Sequence, residues 1–286
     1  MLRTHYLLIG LAVFAIIGLY LLPRSVVNTK ERSMSSTEAH LNQDSQNHTD
    51  SDSQHSDDHQ NNMESHSVTL TAEQQENLNQ YRATFLEASE FLNKRQAFEK
   101  LRQQFRQVGQ FDSLIYYAEH LNQDFPSDET LELVGDAHYE AFAFAMNSDK
   151  KLQFAEKART FYDKITEKSP EVQVKIGVTY VTTSSPMQGI RMIREVLNKS
   201  PENEFALFSL GNLSMQSGQF EKAIERFEKL ISLNPNDLEA QLRLAECYLQ
   251  TQQPEKALPK LKLVLENTEE PVRKNALQKL VNELEK

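Results

Sequence analysis

The chain has 286 residues, a formal net charge of -10, a single Cys and no Trp. One thiol cannot close an internal disulfide, so cysteine usage says nothing about redox compartment. The acidic balance, with no short Lys/Arg-rich block, excludes the basic surface that non-specific nucleic-acid binding needs, and no nucleic-acid partner is expected.

Residues 6–22 read YLLIGLAVFAIIGLYLL, without a charge. At about 1.5 Å per residue such a helix is roughly 25 Å long, near the lower limit for a membrane span. Tyr6 and Tyr20 lie near its ends, where amphipathic rings prefer the headgroup level. A cleaved signal peptide needs small residues after the apolar run, but PRSVV follows, with no A-x-A pattern and no Cys for lipidation. Residues 1–32 are therefore expected to form an uncleaved single-pass anchor and its flanks, with the membrane as one partner. Arg24, Lys30 and Arg32 favour a cytoplasmic C-terminal side by positive-inside counting. The usual behaviour of a short N-terminal anchor favours export instead, which from a bacterial inner membrane leads to the periplasm.

Residues 33–67 are built from Ser, Asp, Asn, Gln and His. Such a segment cannot bury enough apolar surface to offset its ordering entropy, so a disordered tether is expected, reaching about 30–35 Å on average. His55 and His59 are four apart and would share one face of a helix, which makes them weak metal candidates. A fixed metal site needs supporting contacts that a polar spacer lacks. We expect a spacer and no cofactor, with a metal-binding or metal-responsive protein as the alternative function.

Thr71 and Gln74 form a capping box for a helix whose apolar face carries Leu78, Tyr81, Phe85, Ala88 and Leu92. This amphipathic helix is assigned to 68–94, with Asn93 and Lys94 as its interruption. Beyond it the chain repeats. GQFDSLIYYAEHLNQDFPSD, from Gly109, returns as GQFEKAIERFEKLISLNPND, from Gly218. With Glu204 as position 1 of a 34-residue unit, Leu210 and Gly211 fall at positions 7 and 8, Ala223 at 20, Phe227 at 24 and Pro235 at 32. Units from Pro170 and Leu238 keep the same period.

This pattern resembles the tetratricopeptide repeat (TPR) family, and the resemblance covers residues 95–286. Small residues at 8 and 20 let the two helices of a unit cross closely, Pro at 32 stops the second helix, and Gly218 supplies the turn. A unit from Arg95 departs at position 8, where Arg102 stands. The unit from Asp128 puts Ala158 at position 20 eleven residues late, which suggests two lengthened helices over 129–146 and 150–168. The expected architecture is all-α: about five stacked units over 95–271 and a capping helix over 272–286, behind an N-terminal transmembrane helix and tether. Single-pass TPR proteins of the bacterial envelope share this layout.

The resemblance implies a concave face made by the first helix of each unit, where the family commonly binds proteins or peptides. Positions 2, 5, 9, 12 and 13 face it. In the unit from Pro170 these include Val174, Val178 and Val181; in the unit from Glu204 they are Phe205, Phe208, Asn212, Met215 and Gln216. An apolar groove there suits an amphipathic helix or an extended segment. The unit from Asp128 offers an acidic stretch, Glu129, Glu132, Asp136 and Glu140. No P-loop, HExxH, CxxC or GxSxG occurs, Cys247 falls inside a helix, and no enzyme is expected. The expected function is a membrane-tethered TPR adapter, with self-association as a further possibility.

Overall fold

The computed structural model describes residues 70–183 and 185–285. The expected anchor, the tether and His55 and His59 lie outside them. Among the described residues there are twelve α-helices and no strand: α1 (Ala72–Glu87), α2 (Phe91–Val108), α3 (Phe111–Asp124), α4 (Asp128–Phe144), α5 (Ser148–Asp163), α6 (Pro170–Thr183), α7 (Pro186–Lys199), α8 (Glu204–Gln216), α9 (Phe220–Leu233), α10 (Leu238–Gln250), α11 (Pro254–Glu266) and α12 (Pro271–Leu284). None of these is long and apolar enough to cross a membrane.

Local chemistry sets most boundaries. Thr71 and Gln74 make the reciprocal capping box, and Ser127 and Thr130 make a second one ahead of α4. Asn147, Asn203 and Asp237 cap α5, α8 and α10 through side-chain oxygens. Pro186, Pro254 and Pro271 open α7, α11 and α12, where a missing N–H costs nothing. Gly109 and Gly218 sit at φ 71° and 72°, the left-handed turn that only glycine adopts freely.

The first helix ends earlier than its apolar pattern predicts. The break falls at Ala88, Ser89 and Glu90, not at Asn93 and Lys94, and Leu92 is an exposed residue of α2. Lys94 is instead buried, pairing with Asp124 on α3 and lying over the Phe85 ring at 4.8 Å. The Lys94 ammonium, held by Asp124 and the Phe85 ring, pins α2 against α1 and α3, so Lys94 continues the helix where its sequence suggests a stop.

Helices pair as α2/α3, α4/α5, α6/α7, α8/α9 and α10/α11, and each pair stacks on the next. The first helices of successive pairs also touch, α4 with α6, α6 with α8 and α8 with α10, forming one continuous face. Within a pair the close crossing is specific. A Cβ on Gly135 would stand 2.5 Å from the Tyr162 ring, and one on Gly211 would stand 2.7 Å from the Phe227 ring. The residue at position 24 therefore lies over position 8 of its own unit. In the first unit positions 8 and 24 are held by Arg102 and the small Ala118.

The lengthened second unit also differs from expectation. α4 ends at Phe144 and α5 ends at Asp163, five residues before the expected Lys168. The chain leaves α5 because Ile165 turns into the core and the Thr166 N–H donates to the Asp128 carboxylate at 3.0 Å. In the fourth unit α8 stops five residues past Gly211, and α9 starts seven residues before Phe227. In the second unit α4 runs nine residues past Gly135, and α5 starts fourteen before Tyr162. All the added length therefore lies at the α4–α5 turn. By about 1.5 Å per residue, this hairpin projects roughly 6–10 Å beyond its neighbours.

Candidate partner-binding face

The face formed by the first helices changes character along its length. On α2, α4 and α6 it is a closed charge network. Arg102 donates through Nε to Glu140 at 2.9 Å and also reaches Asp136 through Nη2 at 3.4 Å. Arg106 approaches the other Glu140 oxygen at 3.3 Å. From the far side, Lys175 Nζ donates to Asp136 at 2.7 Å and pairs with Glu171 at 3.1 Å. Tyr162 Oη donates to the same Asp136 oxygen at 2.7 Å. Asp136, Glu140 and Lys175 are all buried.

Burial opposes the charge on Lys175, but the Asp136 and Glu171 carboxylates outweigh it and raise the ammonium pKa above its ordinary value. The same contest, settled by Glu140 and Asp136, raises Arg102. Burial, then the Asp136 charge, pushes the Tyr162 phenol well up, so it stays a donor. Asp136 and Glu140 are thus neutralised by cations on both neighbouring helices. They do not form the open acidic surface that the composition of α4 suggests. Glu129, in turn, pairs with Arg95.

Beyond Lys175 the face becomes apolar. Val178, Val181 and Phe205 are half-buried and pack around Val174, Ile193, Val196, Ala206 and Leu210. Val174 itself is fully buried. It lies beneath the face as a packing residue, a correction to its expected place in the groove lining. Phe208 and Met215 are half-buried against the C-terminal core, with Phe208 edge-on to Phe227 at 6.0 Å between centroids. Asn212 is half-buried, and Gln216 is exposed at the end of α8. Farther on, Glu246 of α10 is buried, with Arg243 Nη1 donating to its Oε2 at 3.3 Å, and burial raises its pKa.

The sequence offers one sign of the charge network. Arg102 breaks the small-residue rule at position 8. Nothing in the local sequence singles out Lys175. Cys247 is fully buried, and burial pushes its thiol up to about 12, which leaves it a packing group rather than a nucleophile. Among the described residues no group of three or more His, Cys, Asp or Glu side chains is arranged to hold a metal ion.

A family model described as tetratricopeptide repeat matches residues 214–280, from the end of α8 into α12. The match falls on the C-terminal part of the solenoid and covers less than a quarter of the chain. The TPR fold extends over the preceding units as well. A chain of the solved APC/C hetero-tetramer Cut9–Hcn1 is similar to 75% of this chain and 40% of its own length, with a TM-score of 0.51 and 14% identity. The crystal structure of MamA aligns at 19% identity and a TM-score of 0.38, covering 67% of this chain and 92% of MamA. YrrB, described as a TPR protein with an unusual peptide-binding site, aligns at 12% identity and a TM-score of 0.39, covering 69% and 96%. Comparison with curated proteins gives no match.

Proposed function

We propose that the protein is a membrane-tethered TPR adapter that holds a protein or peptide partner along the first helices of its third and fourth units. The contact set is Val178, Val181, Phe205, Phe208, Asn212, Met215 and Gln216, with Val174 supporting it from below. One observation carries this reading. The charge network pairs Arg102, Asp136, Glu140 and Lys175 with one another, whereas α6 and α8 keep apolar side chains only half covered. Half-covered Val, Phe and Met beside an amide are what an amphipathic helix or extended segment needs for burial and orientation. The chargeless run 6–22 supports the tether reading, with the domain on the periplasmic side of a bacterial inner membrane.

The test is site-specific photocrosslinking in cells. A photoreactive residue at Gln216 or Asn212 should capture one defined partner, while the same residue at the exposed Glu225 of α9 should not. Met215→Asp should reduce capture at least tenfold with helicity retained. Equal capture from Glu225, or capture insensitive to Met215→Asp, would overturn the reading. Reporter fusions at the C-terminus test the orientation, with a signal restricted to exported reporters as the expected result.

A further inference from the structure

The projecting α4–α5 hairpin ends in exposed apolar side chains. Phe144 is 54% exposed, Met146 61% and Leu152 39%. Phe144 is steadied by Phe111 of the preceding turn, stacked at 4.8 Å between centroids. The partner face does not include this tip, and although the added residues Ala141 and Phe142 are buried, Phe144, Met146 and Leu152 stay exposed. Large side chains left in water at a protruding point mark a contact surface.

The shape and charge of the tip select the occupant. A peptide or helix is taken by a concave site lined on several sides, whereas a convex point with a few large apolar side chains suits a deformable surface. Lys150 is exposed beside the apolar residues and the half-buried Lys151 lies over the Phe142 ring at 5.4 Å, against the acids Asp149 and, next to Phe111, Asp112. Lysines beside exposed Phe, Met and Leu match an anionic headgroup layer over hydrocarbon. The overall acidity does not oppose this locally, because seven acids and no Lys or Arg fall within residues 33–67. The projection of roughly 6–10 Å is comparable with the depth to which interfacial apolar groups enter a bilayer. The sequence before α1 supplies the surface itself: the chargeless run 6–22, followed by the polar stretch 33–67 that ends four residues before α1.

We infer that the α4–α5 tip, through Phe144, Met146 and Leu152 with Lys150 and Lys151, docks on the surface of the bilayer and orients the solenoid over it. This rests on the tethered reading, although the two fail separately. The chain has no Trp, so Met146→Trp gives a single-tryptophan protein. The full chain is reconstituted in phosphatidylethanolamine–phosphatidylglycerol vesicles with brominated acyl chains. The expected result is blue-shifted emission, quenched by bromine, while a single Trp at the exposed Asn236, on the opposite turns, stays red and unquenched. Leu152→Trp repeats the measurement should Met146→Trp misfold. Lys150→Glu with Lys151→Glu should reduce the quenching severalfold. Alkaline carbonate extraction tests the anchor independently. A chain that resists extraction but shows a tip Trp as red and unquenched as Asn236→Trp overturns the docking and leaves the anchor standing. Quenching in an extractable chain supports the docking and removes the anchor. A blue shift that depends on protein concentration without lipid overturns the docking in favour of contact between copies.

Discussion

Gln252 holds φ at 59°, in the turn between α10 and α11 where the first and fourth units place Gly109 and Gly218. The hydrogen bonds are the same in each case: Gln253 N–H donates to Tyr248 O, Gln219 N–H to Ser214 O, and Gln110 N–H to Phe105 O. The geometry belongs to the turn, and glutamine adopts it at a cost of about 1–2 kcal/mol that glycine avoids. Part of that gain is lost to the freedom of glycine in the unfolded chain. Gln252→Gly should therefore stabilise the protein by about 0.5–1 kcal/mol in urea denaturation, and Gly218→Ala should destabilise it by about 1 kcal/mol. His138 raises a different residue-scale question. It is 5% exposed, stacked on Phe161 at 5.5 Å, and neither ring nitrogen has a hydrogen-bond partner. Burial, with Lys157 nearby, lowers its pKa to about 4. Glu119 opposes this from 3.7 Å, beyond hydrogen-bond reach. The unfolded state takes up the proton first as pH falls, so this part of the stability is complete above about pH 6.5. It declines toward pH 4 by at most about 1.4 kcal/mol per unit, roughly 3 kcal/mol in all. Urea midpoints should show that slope, and His138→Phe should flatten it.

At the scale of the element, α4 is the helix on which cations from both neighbouring first helices converge. Its acids receive Arg102 and Arg106 from α2 and Lys175 from α6, so the helix is clamped electrostatically between its neighbours. Removing one member of a buried charge cluster leaves the others desolvated and unpaired, at a cost of about 3–5 kcal/mol, whereas replacing the cluster with apolar groups is often neutral. Asp136→Ala should lower stability by at least about 3 kcal/mol. Adding Lys175→Met should recover part of the loss, because it removes the buried cation that Asp136 shares with the more exposed Glu171. A strictly additive double variant in denaturant titration would show that the pair is uncoupled. The same helix carries the other departure from the repeat, since its C-terminal end forms one side of the projecting tip.

For the whole molecule, the apolar interior divides into separate clusters along the chain. One spans α1 to α4, one lies at α5 and α6, one at α6 to α8, and one runs from α8 to α12. Stacked repeats gain stability mainly from nearest neighbours, and cooperativity weakens when interfaces are unequal. Here the buried charge pairs lie between α2, α4 and α6, in addition to apolar contact, whereas the units from α8 onward share one large apolar cluster. Urea unfolding should therefore be non-coincident when followed by one Trp placed near α3 and another near α11. Salt should move the N-terminal transition more than the C-terminal one, to the extent that water reaches the ion pairs. Superimposable curves in both salt conditions would mean that a single core governs the solenoid.

The sequence by itself determined the period, the helical class, the capping box at Thr71, the glycine turns and the final helix, because each rests on interactions within a few residues. It also located the surplus in the second unit through the late Ala158. Only the tertiary structure decided where that surplus goes, what α4 does with its acids, and that Val174 is buried beneath the face. Arg102 and Glu140 are 38 residues apart and Lys175 and Asp136 are 39 apart, so stacking of neighbouring units, not local pattern, makes them partners. A one-face periodicity marks a side chain as apolar and inward, but its exposure is set by the helix that packs across it.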